Sequence, residues 1–285
     1  MEIGDIVVRK SYGKDVTFKI IDISEKKGTM QCTLEGINLR LIADSPMEDL
    51  EKVNENKLSD KEKDLNRKIN QNIKKIVLNR LDNKGYRGYR QKTETNLSFG
   101  RPGRVLHIDG DKNYLTQCMN LYKQLSIEAF GNIIKEDEQP LKVVELVEQI
   151  RPDIVVLTGH DALLKSANNY ADINSYKNSK YFIQSVQNLR KYEPDYDDLV
   201  IFAGACQSYY EGILNAGANF ASSPSRVLIH CLDPVFLCEK ISYTSVERTV
   251  SIKEALENTI TGTKGIGGLQ TRGKYREGYP KSTYL

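Results

Sequence analysis

The sequence predicts an α/β protein: a three-layer domain around a mostly parallel sheet, preceded by a small antiparallel β-barrel. From residue 104 onward, apolar strands alternate with amphipathic helices, the pattern of right-handed β-α-β crossovers. Two of those strands, DIVVLTGH at 153–160 and DLVIFAGAC at 198–206, are nearly continuous apolar runs, as strands covered on both faces are. The opening residues instead carry short β-branched runs broken by glycine.

Taken in order, residues 3–43 contain IVV, VTFKIIDI, MQCTLEG and INLRLIA, separated by Gly13, Gly28 and Gly36. Four short strands with such turns suit an SH3-like module over residues 1–45. Residues 46–103 form a charged helix and a basic connector. Ser59 and Glu62 have the spacing of a capping box, and Leu65, Ile69, Ile73, Ile76, Val77 and Leu81 recur at steps of three and four, so one stripe can pack. The connector mixes Lys84, Arg87, Arg90, Lys92, Arg101 and Arg104 with glycines, Tyr86 and Tyr89. Interleaved Arg and Tyr can neutralise phosphates and stack on bases. Its glycine and polar content fits an interdomain linker better, so nucleic acid is disfavoured as a partner.

Residues 104–285 are the α/β domain and its tail. RVLHID is a strand, DKNYLTQCMNLYKQL a helix, IEAFGNII a strand, and PLKVVELVEQI a helix opened by Pro140. After the strand at 153–160, a crossover helix is capped by Asn174 or Ser175, and the strand at 198–206 follows it. A further strand is expected at RVLIHCLD. The glycine-rich GTKGIGGLQTRG lacks the Walker spacing and a leading strand, and reads as a mobile tail.

Composition narrows the function classes. Hydrophobic residues make up 39% and charged residues 28%, an ordinary globular balance, and the net charge of +3 is too small to imply polyanion binding by the whole molecule. The five cysteines are odd in number and scattered, which points to a reducing compartment rather than a disulfide framework. No apolar stretch approaches the roughly 18 residues of a membrane span, so a cytoplasmic protein is expected. Nothing calls for a cofactor, and the oligomeric state stays open.

The chemistry concentrates at two strand ends. In open parallel sheets, ligands bind outside the carboxyl ends of the strands. One buried strand delivers His160 there and the next delivers Cys206, the pairing a thiol nucleophile needs for proton transfer. Gly159, Ala203, Gly204 and Ala205 leave room for a substrate backbone. A helix expected near Gln207 or Ser208 would aim N–H groups at the sulfur and lower its pKa. His107 and His230 lie inside strands and read as satisfied buried residues. His230, Cys231 and Cys238 lack a Cys-x-x-Cys pair or a fourth ligand, so no metal is expected.

Histidine after one apolar strand and Ala-Cys after another resembles the caspase, clostripain, gingipain and separase group of cysteine peptidases. RPDIVVLTGHDA, DDLVIFAGACQS, NAGANFASSP, RVLIHCLDPV and the opening GDIVVRKSYGKDVTFKI more closely resemble the YabG family of sporulation-specific peptidases, over most of residues 1–250. The resemblance implies a caspase-like domain made in the mother cell that cuts spore coat or cortex-associated proteins after basic residues, arginine above all. It makes His160 the acid/base and Cys206 the nucleophile, with the Cys206 N–H as an oxyanion donor. Gly159, Asp161 and Ala205 are the further oxyanion or orienting candidates, although the wider group usually has glycine where Asp161 stands. An arginine pocket needs a carboxylate, and the loop after the first strand offers Asp109 and Asp111. Arg80, Arg87, Arg90, Arg101 and Arg104 are possible self-cleavage points. The competing readings are a different thiol amidase, such as a glutamine amidotransferase, and a non-enzymatic coat or nucleic-acid binding protein.

Overall fold

The computed structural model describes residues 1–26, 28–53, 60–88, 98–165 and 167–282. Its N-terminal part is one antiparallel sheet of β1 (Ile6–Arg9), β2 (Thr17–Lys26), β3 (Thr29–Gly36), β4 (Ile42–Pro46) and β5 (Leu50–Lys52), in the order β4-β3-β2-β1-β5. Alternation along these strands turns Val7, Phe18, Ile20, Cys32, Leu34 and Leu50 to a small core of their own. β4 and β5 are the two sheet edges and do not pair, so the expected closed barrel is an open sheet. INLRLIA departs from expectation as well. The strand starts only at Ile42, and residues 37–41 leave the sheet as a loop.

Helix α1 (Asp60–Gly88) lays Ile69, Ile73 and Ile76 against the large domain, as its spacing predicts. Val77 is exposed, because the apolar stripe is narrower than the sequence suggests. Ser59, the side chains of Glu62, Leu81, Lys84, Tyr86 and Arg87, and connector residues 89–97 lie outside the described residues. Arg80 is anchored rather than free: its guanidinium bonds Glu239 Oε1 at 2.6 Å and the Leu125 carbonyl at 2.7 Å, and covers the Tyr243 ring.

The connector ends in β6 (Phe99–Arg101), and the large domain then runs β7 (Val105–Asp109), α2 (Lys112–Gln124), β8 (Ala129–Ile133), α3 (Gln139–Ile150), β9 (Ile154–Thr158), α4 (Ser179–Tyr192), β10 (Val200–Ala203), α5 (Tyr210–Asn215), β11 (Phe220–Ser222) and α6 (Asp233–Ser242). Then come β12 (Thr249–Val250), α7 (Ile252–Ala255), β13 (Ile266–Gly268), β14 (Thr271–Arg272) and β15 (Arg276–Gly278). The central sheet has the order β13-β11-β10-β9-β7-β8, parallel except for β13. Alternate residues feed two cores, one on each face. Val105, Val156, Val200 and Phe202 meet α2 and α6, while Leu106, Ile108, Val155, Leu157 and Ile201 meet α3, α4 and α5. These are the three layers the sequence predicts.

Three local expectations fail. RVLIHCLD forms no strand of the central sheet; NFASS supplies β11 instead, its small buried residues giving a weak strand signal. Helix α4 starts at Ser179, since residues 173–175 are a separate short turn capped by the Asp172 side chain. The glycine-rich tail is built in, with β13 edging the central sheet, β14 pairing with β12, and β15 with β6.

Candidate active site

β9 and β10 are adjacent parallel strands with Leu157 opposite Ala203, and His160 and Cys206 follow them at the same carboxyl edge. Gly204 makes the turn out of β10. Its φ of +110° suits glycine, and an added Cβ would fall 2.4 Å from Ser222 Oγ. Asp161 then locks the two loops together. Its buried carboxylate accepts from Ala162 N (2.9 Å), Asn178 N (2.7 Å), Ser208 Oγ (2.9 Å) and Ser179 Oγ. Ser208 Oγ in turn accepts from the Ala205 N–H at 2.9 Å. Asp161 is thus a loop organiser, and the Ala205 N–H is already engaged.

His160 is oriented by other carboxylates. Glu136, just past β8, accepts the His160 N–H at 2.6 Å, and its Oε1 is 3.9 Å from Nδ1. Gly159 makes this approach possible, because a Cβ there would meet the same oxygen at 2.2 Å. Asp111 Oδ2 lies 3.8 Å from Nε2, which is buried and has no hydrogen-bond partner. Burial lowers the His160 pKa, while Asp111 and Glu136 pull the other way. Asp111 also caps α2, accepting from Asn113 N at 2.7 Å and Tyr114 N at 3.2 Å.

Cys206 is buried, and its sulfur accepts the Ile229 N–H at 3.2 Å. The expected helix is too late and too short to act on it, since α5 starts at Tyr210. Burial pushes the thiol up to about 11, with Ile229 and Arg40 only partly opposing it, so the low pKa expected from the sequence does not hold in this state.

Asp109 ends β7 fully buried. Thr158 Oγ1 donates to its Oδ2 at 2.9 Å, the Asp111 N–H donates to Oδ1 at 2.9 Å, and Arg40 Nη1 donates to Oδ2 at 2.5 Å. Burial would raise this carboxyl, but the guanidinium holds it well below the usual range. Arg40 comes from the loop of the N-terminal sheet and is itself buried, with its guanidinium 5.1 Å from the Tyr114 ring centre and Nη2 3.9 Å from Cys118 Sγ. The edge therefore gathers His160, Cys206, Asp109 and Asp111.

Sequence reasoning missed Glu136, Tyr114, Ile229 and Arg40. Glu136 was findable, as an acid directly after a parallel strand; Ile229 acts through its backbone, Arg40 and Tyr114 through contacts between distant parts of the chain, and none of the three carries a motif. His107 is satisfied as expected, by Tyr122 and Thr158. His230 is buried but only half satisfied, with Nδ1 accepting from Leu232 N at 3.1 Å and Nε2 left without a partner. No described helix is long and apolar enough to cross a membrane.

The model of the family YabG peptidase U57 matches residues 2–280. The sporulation-specific protease YabG of Bacillus subtilis (strain 168) is 43% identical over 289 residues, covering 98% of each chain. A match of that extent includes the N-terminal sheet, the helix and both strand ends, and the chain belongs to the YabG peptidase family.

Proposed function

We propose that this peptidase is a cysteine endopeptidase of the caspase-like kind, that it cuts after basic residues, arginine above all, and that it acts on spore coat or cortex-associated proteins in the mother cell. The relative's name, a sporulation-specific protease, supports the setting. Residues 104–285 are the catalytic unit in this reading. Cys206 attacks the carbonyl carbon, and His160 takes the thiol proton and delivers it to the departing amine. Glu136 and Asp111 steady the imidazole. The Cys206 and Gly159 N–H groups are left as oxyanion donors, since those of Ala205 and His160 are already bonded.

The observation that carries the reading is the Arg40 guanidinium held on Asp109 in a buried pocket at the edge shared by Cys206 and His160. It supports Asp109 as the base of the arginine pocket, and Asp111 as cap and histidine neighbour. Arginyl, lysyl and glutaminyl peptides offered to wild type, Cys206→Ala and His160→Ala provide the test. Cleavage of the arginyl peptide ahead of the lysyl one, none of the glutaminyl peptide, and loss with either substitution are expected. Cleavage that survives Cys206→Ala overturns the mechanism.

A further inference from the structure

Residues 36–41 do more than cross the gap between the sheet and the large domain. Leu39 pairs with His230 in an antiparallel bridge, and the Cys231 N–H donates to the Asn38 carbonyl at 3.0 Å. Tyr114 Oη donates to the carbonyls of Gly36 and Leu39, the latter at 2.7 Å, and Gln117 Nε2 reaches the Ile37 carbonyl at 3.3 Å. A short chain is thus bridged to residues 230–231, with its arginine side chain held on Asp109 and Arg40 near enough to the Cys206 sulfur to favour its charged form. A bound substrate with arginine at the cut site would make these same contacts.

We propose that Arg40 and the loop around it are a built-in, substrate-mimicking latch that fills the arginine pocket and holds the peptidase below its full rate, so that wild type cleaves more slowly than a form with the pocket open. The inference rests on the peptidase reading of this site and adds its regulation. Two features make the loop an inhibitor rather than a substrate. The Leu41 N–H donates to the Leu39 carbonyl at 2.7 Å, so the chain makes a three-residue turn at Arg40 instead of running on extended. The amine that cutting would free is also anchored. Leu41 accepts the Gly36 N–H at 2.8 Å, and β4 follows at once, with Ile42 opposite Glu35 and Ala43 opposite Leu34. An amine held there stays positioned to re-form the bond.

The latch accounts for the burial of the nucleophile, since Arg40 lies near enough to the sulfur to act on its charge. Opening it exposes Cys206 and leaves Cys32 in the small core of the N-terminal sheet and Cys238 in the core of the large domain.

The test compares iodoacetamide labelling of each cysteine, mapped by mass spectrometry, in full-length wild type, Arg40→Ala and Arg40→Gln. The expected result is at least tenfold faster labelling of Cys206 in both variants, with Cys32 and Cys238 unchanged. Argininamide, which can refill an emptied pocket, should slow that labelling again and raise the melting temperature of the variants but not of wild type. The glutamine variant, closer in shape, carries the test if alanine unfolds the chain. Equal Cys206 labelling in wild type and a folded variant overturns the latch, and so does wild-type protein cut between Arg40 and Leu41. If labelling rises and argininamide suppresses it while no form cleaves an arginyl peptide, the latch stands and the peptidase reading falls. If wild type and the variants cleave and label alike, the reverse holds.

Discussion

The buried pair of Arg40 and Asp109 sets a stability prediction that its geometry lets us size. Both side chains are fully shielded from water and meet at 2.5 Å, but their remaining partners differ. Asp109 keeps hydrogen bonds from Thr158 Oγ1 and the Asp111 N–H, whereas Arg40 Nε is buried without a partner. Asp109→Asn therefore strands a guanidinium, at a cost of about 3–5 kcal/mol. Arg40→Met leaves a carboxylate that two donors still serve, for about 1–2 kcal/mol. The double variant removes both charges and should cost little more than Arg40→Met alone, which gives a coupling of at least about 2 kcal/mol. Urea unfolding in a Cys206→Ala background, followed by circular dichroism, measures all four corners of the cycle. The folded-state pKa of Asp109 is depressed, so the pair's contribution is complete above the ordinary carboxyl pKa near 4 and drains away as pH falls below it. A coupling under about 0.5 kcal/mol at pH 7, or one unchanged at pH 3, would refute the ion-pair account.

Other consequences follow from the same edge. Cys206→Ala or His160→Ala should reduce arginyl-peptide cleavage by at least about 10³-fold without unfolding the protein, checked by steady-state rates and circular dichroism. Asp111→Asn keeps a good helix cap but removes a negative neighbour of His160, so melting should barely move while the histidine limb of the pH–rate profile shifts to lower pH. Glu136→Gln should move that limb the same way and also lower the rate, because the His160 N–H loses a charged acceptor. Asp161→Ala orphans the Ser208 and Ser179 hydroxyls together with the Asn178 N–H, and should cost about 1–3 kcal/mol in urea unfolding with a parallel loss of activity.

The large domain was legible because its strands are buried on both faces and its helices on one, and each burial pattern leaves its own period in the sequence. β7, β9, β10, α2 and α3 fall where that period places them. The misses fall where the period is weak or a single interaction decides. β11 is Phe-Ala-Ser, three buried residues of which two are small, so no apolar run marks it. RVLIHCLD has the run without the pairing, since its backbone serves the loop from the other sheet instead. The tail looked loose because glycine dominates it, yet Gly268 is needed in β13: an added Cβ would lie 2.2 Å from the Asn219 carbonyl oxygen.

The site was half legible for a related reason. A residue that ends a buried strand is tied to the sheet by register, so His160, Cys206, Asp109 and Asp111 could be placed at one edge from the sequence alone. What covers that edge comes from far along the chain, and register says nothing about it. INLRLIA has the alternation of a strand, and as a strand it would have left Arg40 on the face of a separate small barrel. The loop instead leaves the sheet at Ile37, where Tyr114 Oη and the Cys231 N–H serve its backbone carbonyls and the buried Asp109 carboxylate takes the Arg40 side chain. Burial of the sulfur itself raises the Cys206 thiol to about 11, against the opposing pull of Arg40. No helix dipole acts on this sulfur, because α5 starts only at Tyr210; under the latch proposed above, access to it depends on whether Arg40 sits against Asp109.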